Sequence, residues 1–274
     1  MAAAGESPLA TPATAQPLAT LDPQLFMAGR RGDSKELRDL LLLEDDDGVQ
    51  VVVEVFPRPP PPPAAAASSS PPPPLPALDG VTIEGDSLLH VVAACGDGEE
   101  FIKCARMIYD RAKRLLVARN ARGDTPLHSA AGAGNAKMIS CLVALANADG
   151  DEESAAKALV RTKNERGETA LHHAVRAAAA TMNKSKMDSI TRLMYADPEL
   201  ACIPLPPEEG TSPLYLAISL GEMEIARHLF DTSKGKLSYS GPEGRNVLHA
   251  AVSRGQEQHD IVVVSNSNIG SPSE

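Results

Sequence analysis

The chain has 274 residues, enough for one large domain or a repeat array; with no tryptophan and only 3% aromatic residues, its core must be built from Leu, Ala, Val and Ile. A net charge of −10 argues against general nucleic-acid binding. No apolar run approaches the roughly 18 residues a membrane helix needs; the longest clusters are Leu40-Leu41-Leu42-Leu43 and Ile261-Val262-Val263-Val264.

Residues 1–21 are Ala/Pro/Thr-rich and are expected to be disordered. The first 29 residues carry no Lys or Arg and no continuous apolar core, so no secretory leader is expected. Their bias leaves a plastid transit peptide as the weaker alternative, since such peptides are Arg-rich. Residues 22–43 read as a polar capping helix pair: Leu25 to Asp33 closes a first helix, and Ser34 to Leu42 forms a second with Ser34 as N-cap. Residues 44–80 read as a disordered insertion, with an acid run (Glu44 to Asp47) followed by a Pro-rich tract of polyproline II character. That tract is either a docking site for an SH3-, WW- or profilin-like partner or a solvated loop.

From residue 81 to 255 one pattern recurs five times. Gly85-Asp86-Ser87-Leu88-Leu89-His90 is followed by Gly123-Asp124-Thr125-Pro126-Leu127-His128 and Gly167-Glu168-Thr169-Ala170-Leu171-His172. Gly210-Thr211-Ser212-Pro213-Leu214-Tyr215 and Gly244-Arg245-Asn246-Val247-Leu248-His249 complete the set. The glycines lie 38, 44, 43 and 34 residues apart, so the longer spacings carry loop insertions, one of them at Asp149 to Ser154. Such periodicity marks one supersecondary unit stacked repeatedly. The physics of the unit is local. Gly opens a tight turn, Ser, Thr or Asn caps a helix, and Pro fits the first helical position. Leu faces the core, and His, one helical turn after the cap, reaches back to it. A second amphipathic helix follows, as at Met138 to Val143. Residues 256–274 supply no second helix for the fifth copy and read as a disordered tail. The array is therefore expected to end on an incomplete, less stable repeat.

Chemistry is sparse. His90, His128, His172 and His249 sit at equivalent positions about one repeat apart, too far to share a metal, and His172-His173 diverge around the helix. With Ser87, Thr125, Thr169, Ser212 and Asn246 they are expected to be structural. No phosphate-binding glycine loop, nucleophile elbow or zinc-protease motif is present, so no enzyme activity, cofactor, metal or small-molecule substrate is expected. Cys95, Cys104, Cys141 and Cys202 show no metal-ligand pairing and read as reduced, buried thiols. Residues 103–122 hold seven basic side chains against the single acid Asp110, among apolar residues at helical spacing. They read as one long basic helix, either a contact for acidic lipid head groups or an acidic partner, or a solvated face.

The T-P-L-H stretch and its period resemble the ankyrin repeat, whose unit spans about 33 residues. Narrower similarity is carried by Glu165 to Arg176, Ala196 to Ala201, Gly210 to Ala217 and Leu237 to Pro242. These segments resemble the plant ankyrin proteins of the accelerated-cell-death-six type. The resemblance implies an all-α ankyrin solenoid with a cap and about five repeats, acting as a non-catalytic protein-interaction scaffold in defence or cell-death signalling. Relatives of that type carry a multi-helix PGG membrane domain after the repeats and sit at the plasma membrane; this sequence stops before one. A cytoplasmic chain is expected. The alternative is the cytosolic ankyrin part of a transporter- or channel-like membrane protein, truncated here. Partners are other proteins, with membrane contact only through a longer isoform. By analogy the partner-binding residues are the exposed turn tips: Asn120, Arg122, Asp124, Asn164, Arg166, Glu168, Glu209 and Thr211.

Overall fold

The computed structural model describes residues 19–42, 78–148, 152–180, 187–203 and 210–254. The acid run, the Pro-rich tract, Ile261 to Val264 and Glu209 lie outside the described residues. The described elements are α1 (Pro23–Arg31), α2 (Ser34–Leu42), α3 (Leu88–Cys95), α4 (Glu99–Arg111), α5 (Pro126–Ala133) and α6 (Ala136–Ala146). They continue with α7 (Glu152–Val160), α8 (Ala170–Ala180), α9 (Asp188–Ala196), α10 (Pro213–Leu220), α11 (Met223–Thr232) and α12 (Val247–Ser253). Among the described residues β-pairing is limited to isolated bridges. No described helix is long and apolar enough to cross a membrane.

The helices form two rows. α1, α3, α5, α8, α10 and α12 stack in sequence, and α2, α4, α6 and α9 stack behind them. Helix α11 packs on α10, and its His228 Nε2 pairs with Thr191 Oγ1 of α9 at 2.9 Å. The front helices are short, and Ala93, Ala130, Ala131, Ala174, Ala178, Ala217, Ala250 and Ala251 on them are buried, so neighbouring axes approach closely. Leu89, Leu127, Leu171 and Leu214, the motif leucines, are fully buried. Each such side chain contributes about 1.5–3 kcal/mol relative to an exposed one.

Between helix pairs the chain makes tight turns whose tips stack on one another. Ala121 N–H donates to the Glu84 carbonyl at 3.0 Å, and Glu165 N–H to that of Arg122 at 3.1 Å. At Gly85 and Gly123, φ is +79° and +75°, a region an L side chain rarely enters. A Cβ on Gly85 would lie 2.7 Å from Ala121 N, and one on Gly123 2.8 Å from Glu165 N. Glycine is therefore required both by the turn and by the turn of the following repeat.

Several expectations need correction. Ser34 does not cap α2: Asp33 Oδ1 accepts from Lys35 N and Glu36 N at 3.1 and 3.0 Å, while the Ser34 hydroxyl bonds the Glu100 carboxylate. Residues 19–21 and 78–80 are ordered at edges expected to be disordered. Leu21 N–H and Val81 N–H donate to Val81 O and Ala19 O, both at 2.9 Å, Leu78 is buried, and Asp79 pairs with Arg114. The insertion at 149–154 runs into a helix, α7, which packs on α6 and α9; its Ala156, Leu159 and Val160 are buried. The basic run of 103–122 is not one helix. Helix α4 stops at Arg111, Ala112 turns to φ −145°, and Lys113–Val117 forms a 3-10 segment that leads the chain into the next turn. Of the four free thiols only Cys104 and Cys141 are buried, and burial raises the Cys104 pKa to about 11; Cys95 is exposed and Cys202 half-buried.

The C-terminal end is open among the described residues. Leu248 and Val252 of α12 are 53% and 76% exposed, whereas Leu127 and Ala131 at the equivalent positions of α5 are at 0%. Helix α12, the last described, packs mainly on α10, and a helix at the end of a stack opens more readily than one in its middle. Backbone amides of residues 250–253 are therefore expected to exchange at least ~100-fold faster than those of residues 129–133. Equal protection in a hydrogen-exchange experiment would contradict this.

Candidate protein-recognition site

The motif histidines are built into the stack. The Nδ1 of His90, His128 and His172 accepts from the N–H of Ser87, Thr125 and Thr169 at 3.2, 3.1 and 3.1 Å. An acceptor at Nδ1 leaves the proton on Nε2, which donates to the carbonyl of Asp124, Glu168 or Thr211 in the following repeat, at 2.9, 3.1 and 2.7 Å. Each ring thus ties its own helix start to the next turn. Burial dominates their titration: the pKa of His90 is lowered, and those of His128 and His172 fall to about 4. In the fourth copy, Ser212 Oγ accepts from Tyr215 N at 3.1 Å. The Tyr215 ring fills the space beside Gly241, where a Cβ would lie 2.3 Å from a ring carbon. In the fifth, His249 Nδ1 accepts from Asn246 N at 3.2 Å, but the ring is exposed at the open end.

The turn-tip residues divide into two groups. Asn120, Asp124 and Asn164 are buried, not exposed. Asn120 Oδ1 accepts from Arg122 N and Asp124 N, both at 2.9 Å, and its Nδ2 donates to Asp86 Oδ1 at 2.8 Å. Asn164 repeats the arrangement: Oδ1 accepts from Arg166 N and Glu168 N, both at 3.0 Å, and Nδ2 donates to Asp124 Oδ1 at 2.7 Å. The reason for burial is the stacking of one turn on the next, which the polar sequence around each asparagine does not advertise. Thr211 is half-buried, and its carbonyl is taken by His172. Arg122 and Arg166 are exposed and Glu168 is half-buried.

These three and their neighbours line an open groove of about 450 Å³ on the turn-tip side, between the second and third repeats. Gly132, Ala177 and Ala180 leave it room, and Asp124, Asn164, His173 and Arg176 complete the polar lining. Arg176 clamps Glu168 with both terminal nitrogens, and Arg122 Nε donates to Asp124 Oδ2 at 3.1 Å. His173 Nε2 sits 3.6 Å from Asp124 Oδ1 and 3.7 Å from Glu168 Oε2. Its ring meets that of His128 edge to face, centroids 5.3 Å apart. Burial lowers the His173 pKa despite those carboxylates. Burial also works to raise the Glu168 pKa, but the Arg176 clamp outweighs it and the net shift is downward.

His173 and Arg176 are absent from the partner-binding residues expected from the sequence. The available signal was spacing: one residue and one further turn beyond His172, on the helix that starts at the same turn. The basic residues of 103–122 separate rather than forming one face, since Arg114 reaches Asp79 and Arg119 Nη1 reaches the Lys163 carbonyl at 2.9 Å.

The sequence family described as ankyrin repeats, in three copies, matches residues 89–180. Among solved structures, the chain is similar to the ankyrin repeat domain of Bcl-3, described as a unique member of the IkappaB protein family. Identity is 17% over 92% of this chain and 89% of that one, with a TM-score of 0.60. It is also similar to the human ASB11 ankyrin repeat domain, at 18% identity over 91% of this chain and 85% of that one, TM-score 0.56. The ankyrin repeat protein EF0377 matches at 17% identity over 89% of this chain and 96% of that one, TM-score 0.56. At such identities the likeness shows the fold: an all-α ankyrin-repeat solenoid. No curated protein matches the chain.

Proposed function

We propose that this ankyrin-repeat chain is a non-catalytic scaffold that binds other proteins along its turn-tip face. The observation that carries the reading is the open groove beside Arg122, Arg166 and Glu168, edged by charged side chains on a surface whose geometry is fixed by stacked turns. Repeat stacks use such extended faces for recognition. The motif histidines His90, His128 and His172, by contrast, are held in inter-repeat bonds. The finer assignment, a cytoplasmic role in defence or cell-death signalling, is inferred from the resemblance of residues 165–176 and 210–217 to the accelerated-cell-death-six type.

The test compares two charge reversals in the full chain. Arg122→Glu with Arg166→Glu alters the groove; Lys103→Glu with Arg227→Glu alters α4 and α11 in and beside the second row. The groove variant is expected to lose partners captured by the native chain at least tenfold, and the second variant to keep them. Retention of every partner by a folded groove variant sinks the reading.

A further inference from the structure

Resting on the scaffold reading, we infer that the groove between the second and third repeats takes an acidic polypeptide segment, with Arg166 and Arg122 receiving its carboxylates. The groove carries a local excess of positive charge: its lining presents three guanidiniums against two carboxylates. Its two carboxylates face inward: side-chain exposure is 3% for Asp124 and 13% for Glu168, against 65% for Arg122 and 42% for Arg176.

Hydrogen-bonding capacity is skewed the same way. Asp124 Oδ1 accepts from Asn164 and Oδ2 from Arg122. Both oxygens of Glu168 are held by Arg176. Each carboxylate oxygen of the groove therefore already meets a protein donor. Arg122 gives up one of its N–H groups there, and the exposed Arg166 side chain meets no acceptor among the described residues. A guanidinium has five N–H donors in a planar fork that matches a carboxylate. What the groove lacks is a pair of acceptors supplied from outside.

Spacing narrows the ligand. Arg122 and Arg166 occupy the same position in successive turns, and packed helices stand about 8–10 Å apart. A polyproline-type chain rises about 3.1 Å per residue with three residues per turn, so its residues i and i+3 share one face about 9 Å apart. Glu at every third position suits that interval. The small side chains Gly132, Ala177 and Ala180 admit an extended backbone but offer no deep apolar pocket. Exposed Glu165, next to Arg166 in the same turn, disfavours a ligand whose charge is continuous.

The probe is a fluorescein-labelled peptide of four Glu-Pro-Pro units, titrated with the full chain by anisotropy in low salt; its Gln-Pro-Pro counterpart is the control. Binding of the glutamate peptide below ~100 µM is expected, weakened at least fivefold by 0.5 M salt, as screening demands. Arg166→Gln, which breaks no described side-chain contact, and the double variant Arg122→Gln/Arg166→Gln should each weaken it at least fivefold. Equal binding of the glutamine peptide overturns the assignment. So does stronger, Arg166-dependent binding of a phosphoserine peptide or of phosphatidylserine vesicles. If the glutamate peptide fails to bind below ~1 mM while the charge reversal at Arg122 and Arg166 still releases captured partners, the scaffold stands and the acidic ligand falls. If the peptide binds and the charge reversal releases no partner, the acidic site stands and the scaffold reading falls.

Discussion

Lowering the pH from 7 to 5 is expected to remove about 4 kcal/mol of folding stability through His128 and His172 alone. Both rings are buried and have folded-state pKa values of about 4, against 6.5 for the ordinary group. The sign follows from proton binding. Between pH 6.5 and 4 the unfolded chain holds the proton and the folded chain does not, so acid drives unfolding. Above pH 6.5 both states are neutral and nothing is lost; below pH 4 the cost is complete, at about 3 kcal/mol per ring. At pH 5 each ring accounts for about 2 kcal/mol. His90, shifted the same way, adds to the effect. The main cause is burial of the rings, and in the first three copies Nδ1 also faces a backbone N–H. Protonation would set donor against donor and break the tie to the helix start. Urea titrations at pH 7, 6 and 5 should show a falling midpoint, and His128→Gln a shallower fall from a lower starting point. A midpoint unchanged across that range would rule out neutral, inter-repeat histidines.

The motif was legible because its physics is local. Gly123, Thr125, Pro126 and His128 each answer to a turn, a cap or a helix start within six residues, and recurrence at 85, 167, 210 and 244 confirmed the unit. What was not legible depends on a neighbouring repeat. Asn120 and Asn164 look like solvated loop residues until the next turn is laid over them; the recurring Asn-x-Arg-Gly was the available clue. Helix α4 ends at Arg111 without a Gly or Pro to mark the stop, because the chain must turn toward the tip at Asn120. Helix α7 was hidden by its acidic approach, although Ala156, Leu159 and Val160 have helical spacing. The groove combines both kinds of information. Arg122, Arg166 and Glu168 come from the turns, while His173 and Arg176 enter only once α8 is set against α5.

Gly123→Ala is expected to cost at least ~3 kcal/mol, an unusually large effect for a surface turn. Part is the left-handed backbone at φ +75°, about 1–2 kcal/mol for a residue with a Cβ. The remainder is collision: the new methyl would lie 2.8 Å from Glu165 N and 2.9 Å from Glu165 Cγ. Relief requires the two turns to part, which breaks the bond from Glu165 N–H to the Arg122 carbonyl. Gly134 separates the two contributions. Its φ is also +75°, but a Cβ there would meet nothing within 4 Å, so Gly134→Ala should cost only the backbone strain of about 1–2 kcal/mol. Urea denaturation of both variants gives the comparison, and equal losses would show that turn stacking contributes little. The consequence reaches the recognition site, because the bond lost at Gly123 is the one that fixes Arg122 against the turn carrying Arg166. A Gly123→Ala chain that stays folded should therefore bind partners less well even though every groove side chain is still present. Recognition then depends on the distance between successive turn tips, and glycine is what allows that distance.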